Sequence, residues 1–168
     1  YRTLRTNLMF SAVERHLSTI SIASITDAED KSIVLANLAV TFAQGGYKTI
    51  IVDADLRRPV QHTLWDIKSG SGLTTMMLDD AALANPPLVQ TSVKDLWVLP
   101  AGQLPPNPAD ILGSQRMNDI IGLLKARANY VLFDVPPVLA ATDAALLSAK
   151  LDGILLTVRA GHSRRDHT

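Results

Sequence analysis

The stretch TISIASITDAEDKSIVLANLAVTFAQGG, residues 19–46, decides the fold. TISIAS reads as a strand, and after Ser32 the residues Ile33, Leu35, Leu38, Val40 and Phe42 suit a mostly buried helix that Gly45 and Gly46 stop. Strand, loop, Lys-Ser and helix is the order a phosphate-binding loop requires. Its backbone N–H groups cradle phosphate oxygens, its lysine reaches the outer phosphates and its hydroxyl ligates Mg²⁺. A loop of the G-x-x-x-x-G-K-[ST] form has glycine before the lysine, and here Asp30 holds that place. A carboxylate about 4 Å from a phosphate charge costs roughly 4 kcal/mol at an effective dielectric of 20. That is on the order of a thousandfold in affinity. A carboxylate turned outward to solvent loses most of this penalty, so the direction of one side chain matters.

Outward from this stretch, apolar runs and helical patterns alternate. KTIIVDA (48–54), LWVLPAG (96–102), YVLFDVPP (130–137) and GILLTVRAG (153–161) read as strands. RTLRTNLMFSAVERHL (2–17), GLTTMMLDDAAL (72–83), SQRMNDIIGLLKARA (114–128) and DAALLSAKL (143–151) read as helices, and GQLPPNPADILG (102–113) as a proline-rich connection into a short capped turn. The expected fold is α/β: a three-layer, doubly wound, mostly parallel sheet of the P-loop NTPase kind, with ligands beyond the carboxyl ends of the strands.

Bulk properties narrow the options. At 168 residues, 47% of them apolar, the chain suits one domain. Sixteen basic against sixteen acidic residues give no bulk charge to recruit nucleic acid. Cysteine is absent, which excludes disulfide and thiol chemistry. No apolar run reaches the roughly 18 residues of a membrane span, so a membrane link is expected only through a partner or another segment.

Three strand ends carry the chemistry: Lys31 and Ser32 after the first, Asp53 and Asp55 in VDADLRRP, and Asp134 in LFDVPP. A lysine-serine pair opening a helix is usually a solvated first turn, and aspartates at strand ends are usually turn formers or caps. Together they supply the cation, the hydroxyl and the carboxylates that phosphoryl chemistry with Mg²⁺ requires.

With these pieces in place the chain resembles the cytoplasmic kinase domain of bacterial protein-tyrosine kinases, the Wzc-type autokinases of capsule and exopolysaccharide export, within the wider MinD and ParA group. The similarity runs through YRTLRTNLMFS, DKSIVLANLAVTFAQGGYKTIIVDADLRRP, VLPAGQLPPNPADILGSQRM, NYVLFDVPPVLAATDA and DGILLTVRAG. It implies ATP and Mg²⁺ as cofactors. Asp27, Ala28, Glu29, Asp30, Lys31, Ser32 and Ile33 would form the nucleotide loop, Lys31, Asp53 and Asp55 the catalytic group, and Ser32, Asp55 and Asp134 the metal set. Arg2 and Arg5 would match an N-terminal helix that packs subunits into a homo-oligomer. The implied partners are an inner-membrane polysaccharide co-polymerase or activator segment and the tyrosine-containing tail of a neighbouring subunit, with no nucleic acid. The implied location is the cytoplasmic, inner face of the bacterial membrane.

The sequence departs from the family at two places. Its loop reads DAEDKS where P-G-E-G-K-[ST] is usual, and it ends at RAGHSRRDHT without the family's last strand, helix and tyrosine-rich tail, the expectation for a fragment. Two alternatives therefore stand beside an active kinase. One is a nucleotide-poor assembly or regulatory module in which Asp30 occupies the anion site, paired with Lys31 or a nearby arginine; the other is a MinD-type positioning ATPase.

Overall fold

Six strands form one sheet in the computed structural model, which describes residues 1–26 and 30–160. Helix α1 (Arg2–Ser11) leads into β1 (Thr19–Ser24), α2 (Lys31–Gln44) and β2 (Thr49–Asp53). Next come the short helices α3 (Gln61–Leu64), α4 (Leu73–Leu78) and α5 (Asp80–Ala84), then β3 (Val89–Gln90) and β4 (Leu96–Leu99). The chain continues through α6 (Pro108–Leu112), α7 (Gln115–Arg127), β5 (Tyr130–Asp134), α8 (Asp143–Ser148) and β6 (Gly153–Thr157). The strand order is β3-β4-β2-β5-β1-β6, parallel except for β3, which pairs antiparallel with β4 at one edge.

Period-two alternation sends side chains to two cores. Ile20, Ile22, Ile51 and Leu132 meet Leu35, Leu38 and Phe42 of α2 on one face. Val52, Val131 and Phe133 meet Leu73, Met117, Ile120, Leu124 and Leu147 on the other. Apolar runs in β1, β2 and β5 follow from this, because both faces of those strands are covered. The middle strands β1, β5 and β2 are neighbours, so their carboxyl ends and the loops that follow converge on one edge.

Three local expectations differ from the structure. The first helix stops at Ser11 rather than near Leu17: Ala12 N donates to Met9 O, an i to i−3 bond that tightens the last turn before the chain swings into β1. Phe10 and Val13 are 71% and 79% exposed. GLTTMMLDDAAL is two helices, because Asp79 is extended (φ −126°, ψ 118°) and its side chain caps α5 by accepting from Ala81 N. The edge strand β3 and the helix α3 were not legible in the sequence, being two and four residues long.

Candidate functional site

Parallel pairing builds the site. Asp53 stands opposite Asp134 in the β2–β5 register, and Ile22 opposite Asp134 in the β1–β5 register. Helix α2, next in the chain after β1, begins near these carboxylates with Lys31. Lys31 is buried, and its Nζ donates to Asp134 Oδ1 at 2.7 Å and to Asp55 Oδ2 at 3.3 Å. Burial works to lower the Lys31 pKa, but the charges and hydrogen bonds of Asp134 and Asp55 outweigh it and hold the ammonium above its ordinary value.

The two β2 aspartates do different things. Asp55 uses Oδ1 to accept from the backbone N–H groups of Arg57 (3.4 Å) and Arg58 (3.1 Å), which shapes the turn, and turns Oδ2 to Lys31. Asp53 is fully buried, and its Oδ2 accepts from Val60 N at 3.0 Å and Gln61 N at 2.9 Å. Its Oδ1 is buried with no hydrogen-bond partner among the described residues. Burial first, then the Asp134 charge, pushes the Asp53 carboxyl up to about 8 against the pull of the Gln61 N–H.

Two groups unmarked in the sequence complete the cluster. Gln61, fully buried, donates from Nε2 to Asp134 Oδ2 at 2.9 Å and to Ser32 O at 3.1 Å, while Trp65 Nε1 donates to Gln61 Oε1 at 3.2 Å. Arg57 holds the buried Asp143 with two nitrogens, Nε at 2.8 Å and Nη2 at 3.2 Å, fastening the turn after β2 to the start of α8. A polar residue in a loop beyond a strand end was the available signal for Gln61; nothing local marks Asp143 as the partner of a residue 86 positions away.

A cleft of about 330 Å³ opens over this cluster, lined by Asp30, Lys31, Ser32, Ile33, Asp55 and Arg58 among others. A second recess of about 280 Å³ shares Asp55 and Arg58 with it. Asp53 and Asp134 line neither. Asp30 sits at the N-cap of α2 with φ −84°, a conformation that does not call for glycine, and its side chain makes no capping bond. Its carboxylate is 64% exposed and pairs with Arg159, not with Lys31. Asp27, Ala28 and Glu29 lie outside the described residues. Arg5 donates from Nη1 to Thr41 O near the carboxyl end of α2, and Arg2 is exposed.

A lysine and serine heading a half-buried helix, with carboxylates from the next two strands of a parallel sheet turned toward them, define a P-loop NTPase domain. No family model matches the chain. Over 167 residues it is 40% identical to tyrosine-protein kinase YwqD of Bacillus subtilis, an alignment covering 99% of this chain and 70% of that protein. The chain belongs to the family of bacterial tyrosine-protein kinases. The crystal structure of the chimerical protein CapA2B2 is similar at a TM-score of 0.92 and 35% identity, covering 99% of this chain and 73% of that one. The septum site-determining protein MinD of Pyrococcus horikoshii, complexed with Mg-ADP, shares the fold at a TM-score of 0.70 and 23% identity, over 84% of this chain and 58% of that one.

Kinases and P-loop ATPases of this kind use nucleotide and magnesium generally, and the donor set here suits both. Among the described residues no three His, Cys, Asp or Glu side chains could hold a metal alone. Mg²⁺ keeps waters and takes one or two carboxylates together with substrate phosphates, a demand that Asp55 and Asp134 suit. The uncapped start of the 14-residue α2 and the Lys31 ammonium suit the phosphates themselves.

Proposed function

We propose that this domain is an ATP- and Mg²⁺-dependent protein-tyrosine kinase acting in capsular or exopolysaccharide synthesis and export. The observation that carries this reading is the Lys31 ammonium, buried at the head of α2 between Asp134 and Asp55. When bound, MgATP supplies the phosphoryl group that passes to a tyrosine oxygen. Lys31 would serve the outer phosphates, and Ser32, Asp55 and Asp134 would hold the metal and its waters. Gln61 fixes the rotamer of Asp134 by a hydrogen bond to its second oxygen. Asp55 lines both recesses, so it would serve both the phosphate side and an incoming tyrosine hydroxyl. Asp53 acts through the backbone of residues 60 and 61, which it braces.

The same reading places the domain at the inner face of a bacterial membrane through a co-polymerase, an activator segment or a further segment; no helix among the described residues is long and apolar enough to cross a membrane. A homo-oligomer would pack through α1, with Arg2 and Arg5 at the subunit contact. The substrate tyrosines lie in the tail of a neighbouring subunit.

The test is transfer of label from γ-³²P-ATP to a random glutamate–tyrosine copolymer. Phosphotyrosine is the expected product, with a loss of roughly 100-fold in Asp55→Asn. Hydrolysis to ADP without labelled tyrosine would replace the kinase by a positioning ATPase. Failure to bind MgATP would replace it by an assembly module.

A further inference from the structure

Asp30 occupies the N-cap of α2, where an aspartate ordinarily accepts from the first N–H groups of the helix. Here it does not. Arg159 Nη2 donates to Asp30 Oδ2 at 3.0 Å instead, across 129 residues of chain. Topology brings the two together: β6 runs parallel to β1 with Thr157 opposite Ser24, so Arg159, two residues beyond the strand, reaches Asp30 at the start of α2. The nearer cation, Lys31, is already shared by Asp134 and Asp55.

We propose that Arg159 is a positioning residue for the phosphate site, holding the Asp30 carboxylate off the start of α2 and leaving that helix terminus to a nucleotide's phosphates. The proposal rests on the nucleotide-binding reading above. Without Arg159, Asp30 closes the site in two ways. It falls onto the first-turn N–H groups as an ordinary cap and takes the donors a phosphate needs. Its charge, no longer balanced, also repels the polyphosphate. Both partners are largely exposed, at 64% and 46%, so the pair adds little to stability and acts on the ligand.

The test is calorimetric titration of MgATP into the chain and into Arg159→Ala, Arg159→Lys, Asp30→Gly and the Asp30→Gly/Arg159→Ala double variant, with melting temperatures measured without nucleotide. Arg159→Ala is expected to weaken binding roughly tenfold, with no fall in melting temperature, because Asp30 gains a capping role. Arg159→Lys recovers most of the affinity by keeping the cation, and Arg159→Ala has almost no effect once Asp30 is glycine. Equal losses in both backgrounds would mean that Arg159 touches phosphate itself, which overturns the proposal, as does parental affinity in Arg159→Ala. Binding by Asp30→Gly but not by the parent chain also overturns it while leaving the fold's nucleotide reading intact. Absence of binding in both removes that reading and the proposal with it.

Discussion

Asp53 and Asp134 face one another across the register of β2 and β5, two fully buried carboxylates at the ends of adjacent parallel strands. Among the described residues only one has a cation: Lys31 lies against Asp134, while Asp53 has backbone N–H groups on one oxygen and no partner for the other. Burial and the neighbouring charge therefore keep Asp53 protonated over much of the physiological range, with a pKa near 8.

This gives stability of the nucleotide-free domain a particular pH dependence. The folded pKa of about 8 lies above the ordinary value of 3.8, so between them the folded chain holds a proton that the unfolded chain has released. Stability from this group is fully present below pH 4, falls as pH rises toward 8, and levels off beyond. Asp53→Asn keeps a carbonyl oxygen for Val60 N and Gln61 N but cannot ionise. Its stability curve should lose this downward slope and cross above the parent's at alkaline pH. Urea denaturation from pH 5 to 9 without Mg²⁺ checks it, and parallel curves would contradict the assignment.

Lys31→Met removes the cation that two buried carboxylates share. Breaking a buried ion pair from one side costs about 3–5 kcal/mol, because the remaining charge stays desolvated. The variant should therefore be markedly less stable before any ligand is added, as well as unable to hold phosphate. Denaturation midpoints measured without nucleotide separate the two effects. A Lys31→Met domain as stable as its parent would mean that Asp134 and Asp55 are hydrated in solution.

The sheet and the direction of its ligand edge were legible because short continuous apolar runs and a Lys-Ser pair ahead of a helix are local signals. Asp53, Asp55 and Asp134 were found together since each ends such a run. Their division of labour was not legible. Asp53 and Asp55 are two residues apart in sequence, but β2 ends at Asp53, so the turn that follows carries Asp55 to the cleft while Asp53 stays buried out of its lining. The direction of Asp30 was equally hidden, being set by an arginine in the last strand's loop rather than by anything near it. Likewise the apolar spacing of residues 4–17 suggested a helix longer than α1, since Phe10 and Val13 carry the periodicity but remain on the surface.

Arg57 and Asp143 join the turn that shapes Asp55 to the start of α8. Asp143 is fully buried, so Arg57→Ala leaves a carboxylate without its bidentate partner. The melting temperature should fall more than in Arg58→Ala. Arg57→Lys should not restore it, because an ammonium cannot present two parallel donors. Thermal unfolding of the three variants decides this, and full recovery by lysine would reduce the pair to a simple charge contact.

Two glycines make opposite predictions from similar chemistry. Gly72, at the start of α4, is extended at φ −179°, so its backbone suits any residue, but a Cβ there would lie 2.0 Å from Pro100 O and 2.7 Å from Gly102 N. Both are backbone atoms, held in place as Leu73 N donates to Pro100 O and Thr74 N to Ala101 O. Gly72→Ala must push α4 off the strand end, at a cost of about 1–3 kcal/mol or more. Gly122 lies in the exposed middle of α7 with nothing within 4 Å of an added Cβ. There alanine removes backbone freedom from the unfolded chain and should stabilise by about 0.5–1 kcal/mol. Urea midpoints of the two variants should move in opposite directions. A neutral Gly72→Ala would mean that the close approach of α4 to the residues after β4 is not what seats this helix.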